Sequence, residues 1–389
     1  MDVQSYEGNW GMTSGPVISV AFRADASISI GTGHIMRCLT LADTLTADGA
    51  RCRFICREHP GHLIGYIRER GYPVHVLPAQ TGSRVQTSDD CRGGPPHAHW
   101  LGEHWETDAE QTRSILREYR PDWLIVDHYA LDARWERALR GSFGKLMVID
   151  DLADRPHACD LLLDQNLGRK AEDYSMLVPE SCERLIGPKF ALLRPEFAAL
   201  REYSLERRRK PELKRLLVTM GGVDQPNATG KVLEALRACP LPNGCQITVV
   251  MGATAPWLEE VRECARQMPY STDVVVNVDD MARRMAESDF AIGAAGSTVW
   301  ERCCLGLPSL VLVVAENQQL IAKALQDRGA ANYLGRADNE KTYDKILPEV
   351  KMFLDSTEEY KIMVSNSSAV TCGRGAWVVS SIIKERVIQ

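Results

Sequence analysis

Apolar residues in this chain fall into short runs, and between the runs they recur with helical spacing. VISVAF (residues 17–22), RCRFIC (51–56) and PVHVLP (73–78) read as buried strands. Helical stretches follow at about 34–48, stopped by Gly49, at 63–70, stopped by Gly71, and at 108–119. DWLIVDHY (122–129), LMVIDD (146–151) and DLLLDQN (160–166) continue the strand series. Strands this uniformly aliphatic, alternating with helices, predict a parallel sheet covered on both faces.

The rhythm breaks twice. Residues 81–96, TGSRVQTSDDCRGGPP, have no period and read as a loop or inserted segment. Residues 202–215, EYSLERRRKPELKR, are dense in charge with a central proline, and read as a linker. A second series then begins: RLLVTMGG (215–222), a helix at 228–238, QITVVMG (246–252), a helix at 257–267, DVVVNV (273–278), FAIGAAGST (290–298) and PSLVLVV (308–314). The predicted fold is α/β, two Rossmann-like domains facing across a cleft. The expected division is a disordered leader over 1–16, an N-terminal domain over 17–201, the linker 202–215 and a C-terminal domain over 216–389.

Composition narrows the function. A net charge of −6 argues against a nucleic-acid surface. No apolar run is long enough to span a membrane, and the first sixteen residues lack the pattern of a signal peptide. The twelve cysteines are scattered and contain no C-x-x-C pair, so they read as reduced thiols. These features predict a cytoplasmic protein with neither nucleic acid nor membrane insertion among its interactions.

In parallel sheets, ligands bind at the carboxyl ends of strands. That rule selects the loops 23–33, 127–129, 150–151, 164–166, 221–224, 251–252, 293–298 and 316–318. GAAGSTVWE (293–301) carries the clearest phosphate pattern: small residues end a strand and open a helix whose free amides suit a diphosphate. Gly296, Ser297 and Thr298 would supply amides and hydroxyls, and Glu301 would hold ribose hydroxyls. A turn that needs small residues only for packing would look the same. Gly221 and Gly222 occupy the equivalent end of the first strand in this domain.

All nine histidines lie at or before His157, so a histidine base must come from the N-terminal half. His97, His99 and His104 lack the framing ligands of a metal site. His34 follows Gly31 and Gly33 at a predicted helix start, a position that disfavours the imidazolium and suits a general base. A histidine merely packed on that helix is the plainer alternative.

The blocks RADASISIGTGHIMRCLTLADTL, DHYALDARWE, VIDDLADRPHACDLLLDQN, TMGGVDQPNATGKVLEAL and GAAGSTVWERCCLGLPSLVLVVAENQ, in that order, resemble the UDP-sugar hydrolases of pseudaminic acid biosynthesis. The resemblance runs from about residue 17 to residue 335. It implies a GT-B-like fold, similar to the lipid II-forming N-acetylglucosaminyltransferase, with UDP on the C-terminal domain and the sugar in the cleft. It implies hydrolysis of UDP-2,4-diacetamido-2,4,6-trideoxy-β-L-altropyranose by attack of water at the anomeric carbon with inversion. His34, in the G-x-G-H motif, would be the base, with no metal and no cofactor. Arg23 and Asp25 would orient base, water or sugar beside Gly33, and Tyr129 and Asn317 would line the sugar cleft. Arg37 would bind phosphate or form a salt bridge. A UDP-sugar and other pathway enzymes are the partners such a protein would have. A GT-B transferase using a UDP-sugar donor, and a non-catalytic UDP-sugar-binding module, are the competing expectations.

Overall fold

The computed structural model describes residues 17–79, 94–253 and 255–388. The leader 1–16, and the inserted stretch 81–96 apart from its last three residues, lie outside the described residues.

Two separate parallel sheets form. The first contains β1 Ser19–Ala24, β2 Arg51–Arg57, β3 Val74–Leu77, β4 Trp123–Asp127, β5 Lys145–Ile149, β6 Leu161–Asp164 and β7 Glu183–Ile186. Its order is β3-β2-β1-β4-β5-β6-β7. The second contains β8 Arg215–Thr219, β9 Gln246–Met251, β10 Ser271–Val276, β11 Phe290–Ala294, β12 Ser309–Val313 and β13 Asn332–Arg336, in the order β10-β9-β8-β11-β12-β13. Each sheet therefore reverses direction once, between β1 and β4 and between β8 and β11. At such a reversal the connecting helices leave to opposite faces, and a crevice opens at the carboxyl ends of the strands.

The aliphatic runs are explained by burial on both sides. Along β1, Val20, Phe22 and Ala24 join one core cluster while Ala21 joins the other. Along β8, Leu216 and Val218 face one core and Leu217 the other. Both faces need apolar side chains, so the period-two alternation of a half-exposed strand is absent.

The two halves are not divided by a single cut. The helix Pro195–Arg207 runs into the stretch read as a linker, yet it packs on the second half: Phe197 is buried there, and Ser204 Oγ donates to Leu305 O at 2.7 Å. Two of the arginines here, Arg201 and Arg208, are committed to carbonyls. Arg201 donates to the carbonyls of Ser368 and Thr371, and Arg208 to those of Met285, Ala286 and Ser288. Dense charge suggested a linker because such residues usually sit in water; here the guanidiniums satisfy helix-end carbonyls. The final helix, Gly375–Ile388, returns to the first half, where Ala376, Val379 and Ile383 join the core beneath β1 and β4. The Trp123 indole donates to Ile383 O at 3.1 Å. Among the described residues, no helix is long and apolar enough to cross a membrane.

This return of the last helix can be tested. Ile383→Ala removes a side chain that is 0% exposed and is expected to cost about 3 kcal/mol. Trp377→Ala, on the same helix but 62% exposed, is expected to cost less than about 0.5 kcal/mol. Urea titration of both variants checks the contrast, and equal small losses would refute the packing.

Candidate functional site

The first reversal point holds His34. The helix Gly33–Ala47 follows β1, and no side chain caps its N-terminus at Thr32. His34 sits in its first turn and Arg37 one turn later, so both side chains fall on one face. That face meets Asp127, the last residue of β4, which is wholly buried.

Asp127 is the centre of the arrangement. His34 Nδ1 lies 2.6 Å from its Oδ1. Arg37 approaches both oxygens, Nε to Oδ2 at 2.6 Å and Nη2 to Oδ1 at 2.7 Å. Burial works against the Asp127 charge, but Arg37 and then His34 hold the carboxyl far below its ordinary range. An ionised carboxylate can only accept, so the His34 proton is fixed on Nδ1. Among the described residues nothing bonds Nε2, and the imidazole is 8% exposed. In that tautomer the lone pair lies on Nε2.

Arg37 extends the network. Its Nη1 lies 2.7 Å from Asp151 Oδ2, which also accepts the Tyr129 hydroxyl at 2.7 Å. Burial, reinforced by Asp151, raises the Tyr129 phenol well above its usual value, so it stays protonated. The Tyr129 ring meets the His34 imidazole edge-on, with centroids 4.7 Å apart. Its oxygen lies 3.5 Å from Asn317 Nδ2, on the short turn Glu316–Gln318 after β12. A chain of contacts therefore links His34 to the second half. Beside it an open cavity of about 390 Å³ is lined by Asp151, Arg169, Asn317, Leu320 and Lys323, among others.

Arg23 and Asp25, expected near the substrate, lie beneath the site instead. Both are 0% exposed. Arg23 is held by Asp25 and by Asp108, each at 2.7 Å. Asp25 also accepts the Arg57 amide at 2.7 Å, and His128 Nε2 stands 3.2 Å from its second oxygen. The strand period puts Arg23 inside the sheet layer, where a charge survives only if paired. These residues brace the loop and touch no cleft.

Across the cleft, the exposed turn Gly221–Gly222 follows β8. A Cβ at Gly222 would stand 4.0 Å from Thr32 Oγ1, which places this turn opposite the His34 loop. Gly252 passes so close to the Gly222 carbonyl that a Cβ would overlap its oxygen. Gly296, Ser297 and Thr298 form the second turn, after β11, with Ser297 exposed between half-buried neighbours. Glu301, half-buried behind it, has its carboxyl raised to about 7 by burial, against the pull of Arg194 and Arg302. Gly33, His34, Arg37, Tyr129, Asn317 and both turns thus converge on one cleft.

The sequence reading assigned no role to four contributors. Asp127 and Asp151 had a signal, since each ends an aliphatic run at a carboxyl terminus. Trp100 and His97 had none, because they follow the aperiodic stretch. Trp100 stacks on Tyr129 with centroids 5.7 Å apart, and the His97 ring lies against both.

Behind Asp151, the Tyr174 hydroxyl lies 2.8 Å from Asp150 Oδ2 and 2.9 Å from Asp164 Oδ2. One hydroxyl proton cannot serve two ionised carboxylates. Asp164 also accepts from Arg169 Nε at 2.9 Å, yet burial and then Asp151 push its carboxyl up to about 7. This value is above the ordinary 3.8. The contribution of Asp164 to stability is therefore full at acid pH and is lost as pH rises through about 7. Relative to wild type, Asp164→Asn is expected to gain on the order of 3 kcal/mol between pH 4 and pH 8. Denaturation curves across that range check this, and parallel profiles would refute it.

The glycosyltransferase family 28 C-terminal domain matches residues 215–371. The chain is 28% identical over 313 residues to the UDP-2,4-diacetamido-2,4,6-trideoxy-beta-L-altropyranose hydrolase of Campylobacter jejuni, covering 80% of this chain and 97% of that protein. It is 37% identical over 244 residues to the spore coat polysaccharide biosynthesis protein SpsG of Bacillus subtilis, covering 60% of this chain and 70% of that one. The crystal structure of Acinetobacter baumannii MurG matches with a TM-score of 0.68 at 14% identity, covering 95% of this chain and all of that one. By sequence and by architecture, this chain belongs to the family of the UDP-diacetamido-trideoxy-altropyranose hydrolase, GT-B proteins with a glycosyltransferase family 28 C-terminal half.

Proposed function

We propose that this protein hydrolyses a UDP-sugar at its anomeric C–O bond, with UDP-2,4-diacetamido-2,4,6-trideoxy-β-L-altropyranose as the substrate. The observation that carries this reading is the His34–Asp127 pair, with Nδ1 committed to the carboxylate and Nε2 unbonded. The likeness to the C. jejuni hydrolase supports the sugar.

In this reading His34 Nε2 removes a proton from water as the water oxygen attacks the anomeric carbon. The bond from that carbon to the β-phosphate oxygen breaks, its electron pair leaves with UDP, and the configuration inverts. Asp127 holds the ring in position and stabilises the imidazolium that forms. UDP leaves as a stable anion, so its oxygen needs positive surroundings rather than a proton. Amides at Gly296, Ser297 and Thr298, with the turn at Gly221 and Gly222, would receive the diphosphate. Glu301 would hold the ribose hydroxyls. Tyr129 and Asn317 would contact the sugar where the two halves meet. Arg37 is committed to Asp127 and Asp151 and acts as a positioning residue rather than a phosphate ligand. No step calls for a metal.

Phosphorus NMR of the purified protein with this UDP-sugar, chelator present and no acceptor added, tests the reading. Free UDP is expected, with proton NMR showing the inverted sugar anomer first. His34→Ala is expected to slow release by about 10²–10⁴-fold, and Asp127→Asn, which leaves the wrong tautomer, by a similar factor. UDP binding without release would favour transfer to an acceptor other than water. Release at the wild-type rate by His34→Ala would remove His34 as the base.

A further inference from the structure

Arg302 is a charged group at the cleft to which the proposed reaction assigns no role. It lies on the helix Thr298–Cys304 and is 1% exposed. Its Nη2 donates to Ala294 O at 2.8 Å, and its Nη1 lies 3.4 Å from Thr298 Oγ1. Its Nε is buried without a partner, and among the described residues the guanidinium forms no ion pair. A void of about 10 Å³ behind it is lined by Val299, Cys303, Ser309 and Ser367 among others, with no carboxylate in its wall. Burial draws the guanidinium down to about 10. The neighbouring acid is Glu301, whose own ionisation is suppressed by burial.

The other deeply buried arginines are compensated. Arg23, Arg37, Arg57 and Arg155 face carboxylates. Arg208, which also lacks an acid, donates to four carbonyls and a serine hydroxyl. Arg302 has one good acceptor. A buried cation left in that state is costly unless an anion completes it.

Its place in the fold shows where that anion belongs. A Cβ at Gly293 would stand 2.6 Å from Arg302 Nη1 and 2.8 Å from Thr219 O. The guanidinium thus lies between the ends of β8 and β11, under the reversal point of the second sheet. Gly221 and Gly222 follow one strand end, and Gly296, Ser297 and Thr298 follow the other. The helix above has seven residues, so its own dipole is weak.

We propose that Arg302 is the buried counter-charge of the diphosphate: without touching the ligand, it holds Thr298 and the 294–298 turn and makes the crevice between β8 and β11 an anion site. The inference rests on the UDP-sugar reading and deepens it. UDP gains negative charge as the C–O bond breaks, so the same cation favours departure.

The test is calorimetric titration of the full chain with UDP and, separately, with uridine, which lacks the diphosphate. Arg302→Gln is expected to weaken UDP about tenfold or more while uridine stays within about twofold. Arg302→Lys, which keeps a charge, is expected to hold UDP within about threefold of wild type. Equal losses of UDP and uridine in Arg302→Gln, or no loss of either, would overturn the proposal as a matter of packing. Should Arg302→Gln fail to fold, Arg302→Lys decides: UDP retained supports the charge role, and UDP lost with uridine retained overturns it. Wild-type protein that binds neither ligand would remove the nucleotide reading and this inference together. Wild-type binding of both, without the split, would remove the inference alone.

Discussion

A carboxylate with no access to water can stay ionised only if the surrounding donors replace its hydration. Asp127 meets that condition with four donors, two from Arg37, one from His34 and a weaker one from the Cys38 thiol at 3.6 Å. All four come from the helix after β1, while Asp127 ends β4. One charge therefore ties the two elements that flank the first reversal point. It also sets the His34 tautomer, holds the Arg37 fork through both oxygens, and through Arg37 fixes Asp151 and Tyr129. Removing the charge would release the whole row at once.

The two halves of the cleft have opposite electrostatic designs. In the first, every deep cation is matched: Arg23 with Asp25 and Asp108, Arg37 with Asp127 and Asp151, Arg155 with Asp150. Such pairs cancel at a distance and serve to position groups. In the second, two turns of small residues lie over a guanidinium with no ion pair among the described residues, and the nearby Glu301 carboxyl is raised toward neutrality. On the proposed reading, the first design suits a site that orients a base and the second a site that receives an anion. The contact between Tyr129 and Asn317 joins them.

Much of this was legible before any coordinates. The aliphatic runs gave the strands because both faces of a parallel sheet exclude polar side chains. G-x-G-H placed His34 at a helix start, and GAAGST marked the turn after β11. Legibility failed where a residue's partner lies far along the chain. Asp127 is 93 residues from His34, and only the order of strands brings them together. Arg23 and Asp25 were expected in the cleft because they share a loop with His34, but Arg23 turns from β1 into the layer below and Asp25, just past the strand, is buried against it. Arg208 was read into a solvated linker because composition does not reveal its carbonyl partners. The last helix carries no mark of its return to the first sheet.

The sequence by itself determined most strands of both sheets, their parallel character, the loops at their carboxyl ends and the family. Those depend on local periodicity and on short motifs, which survive in one dimension. Tertiary structure alone decided which oxygen meets which nitrogen: that Asp127 orients His34, that Arg37 is a strap, that Tyr129 reaches Asn317, and that Arg302 stands without an acid. Hydrogen bonds and ion pairs act over a few ångströms between residues far apart in sequence, so only the folded chain brings them within range.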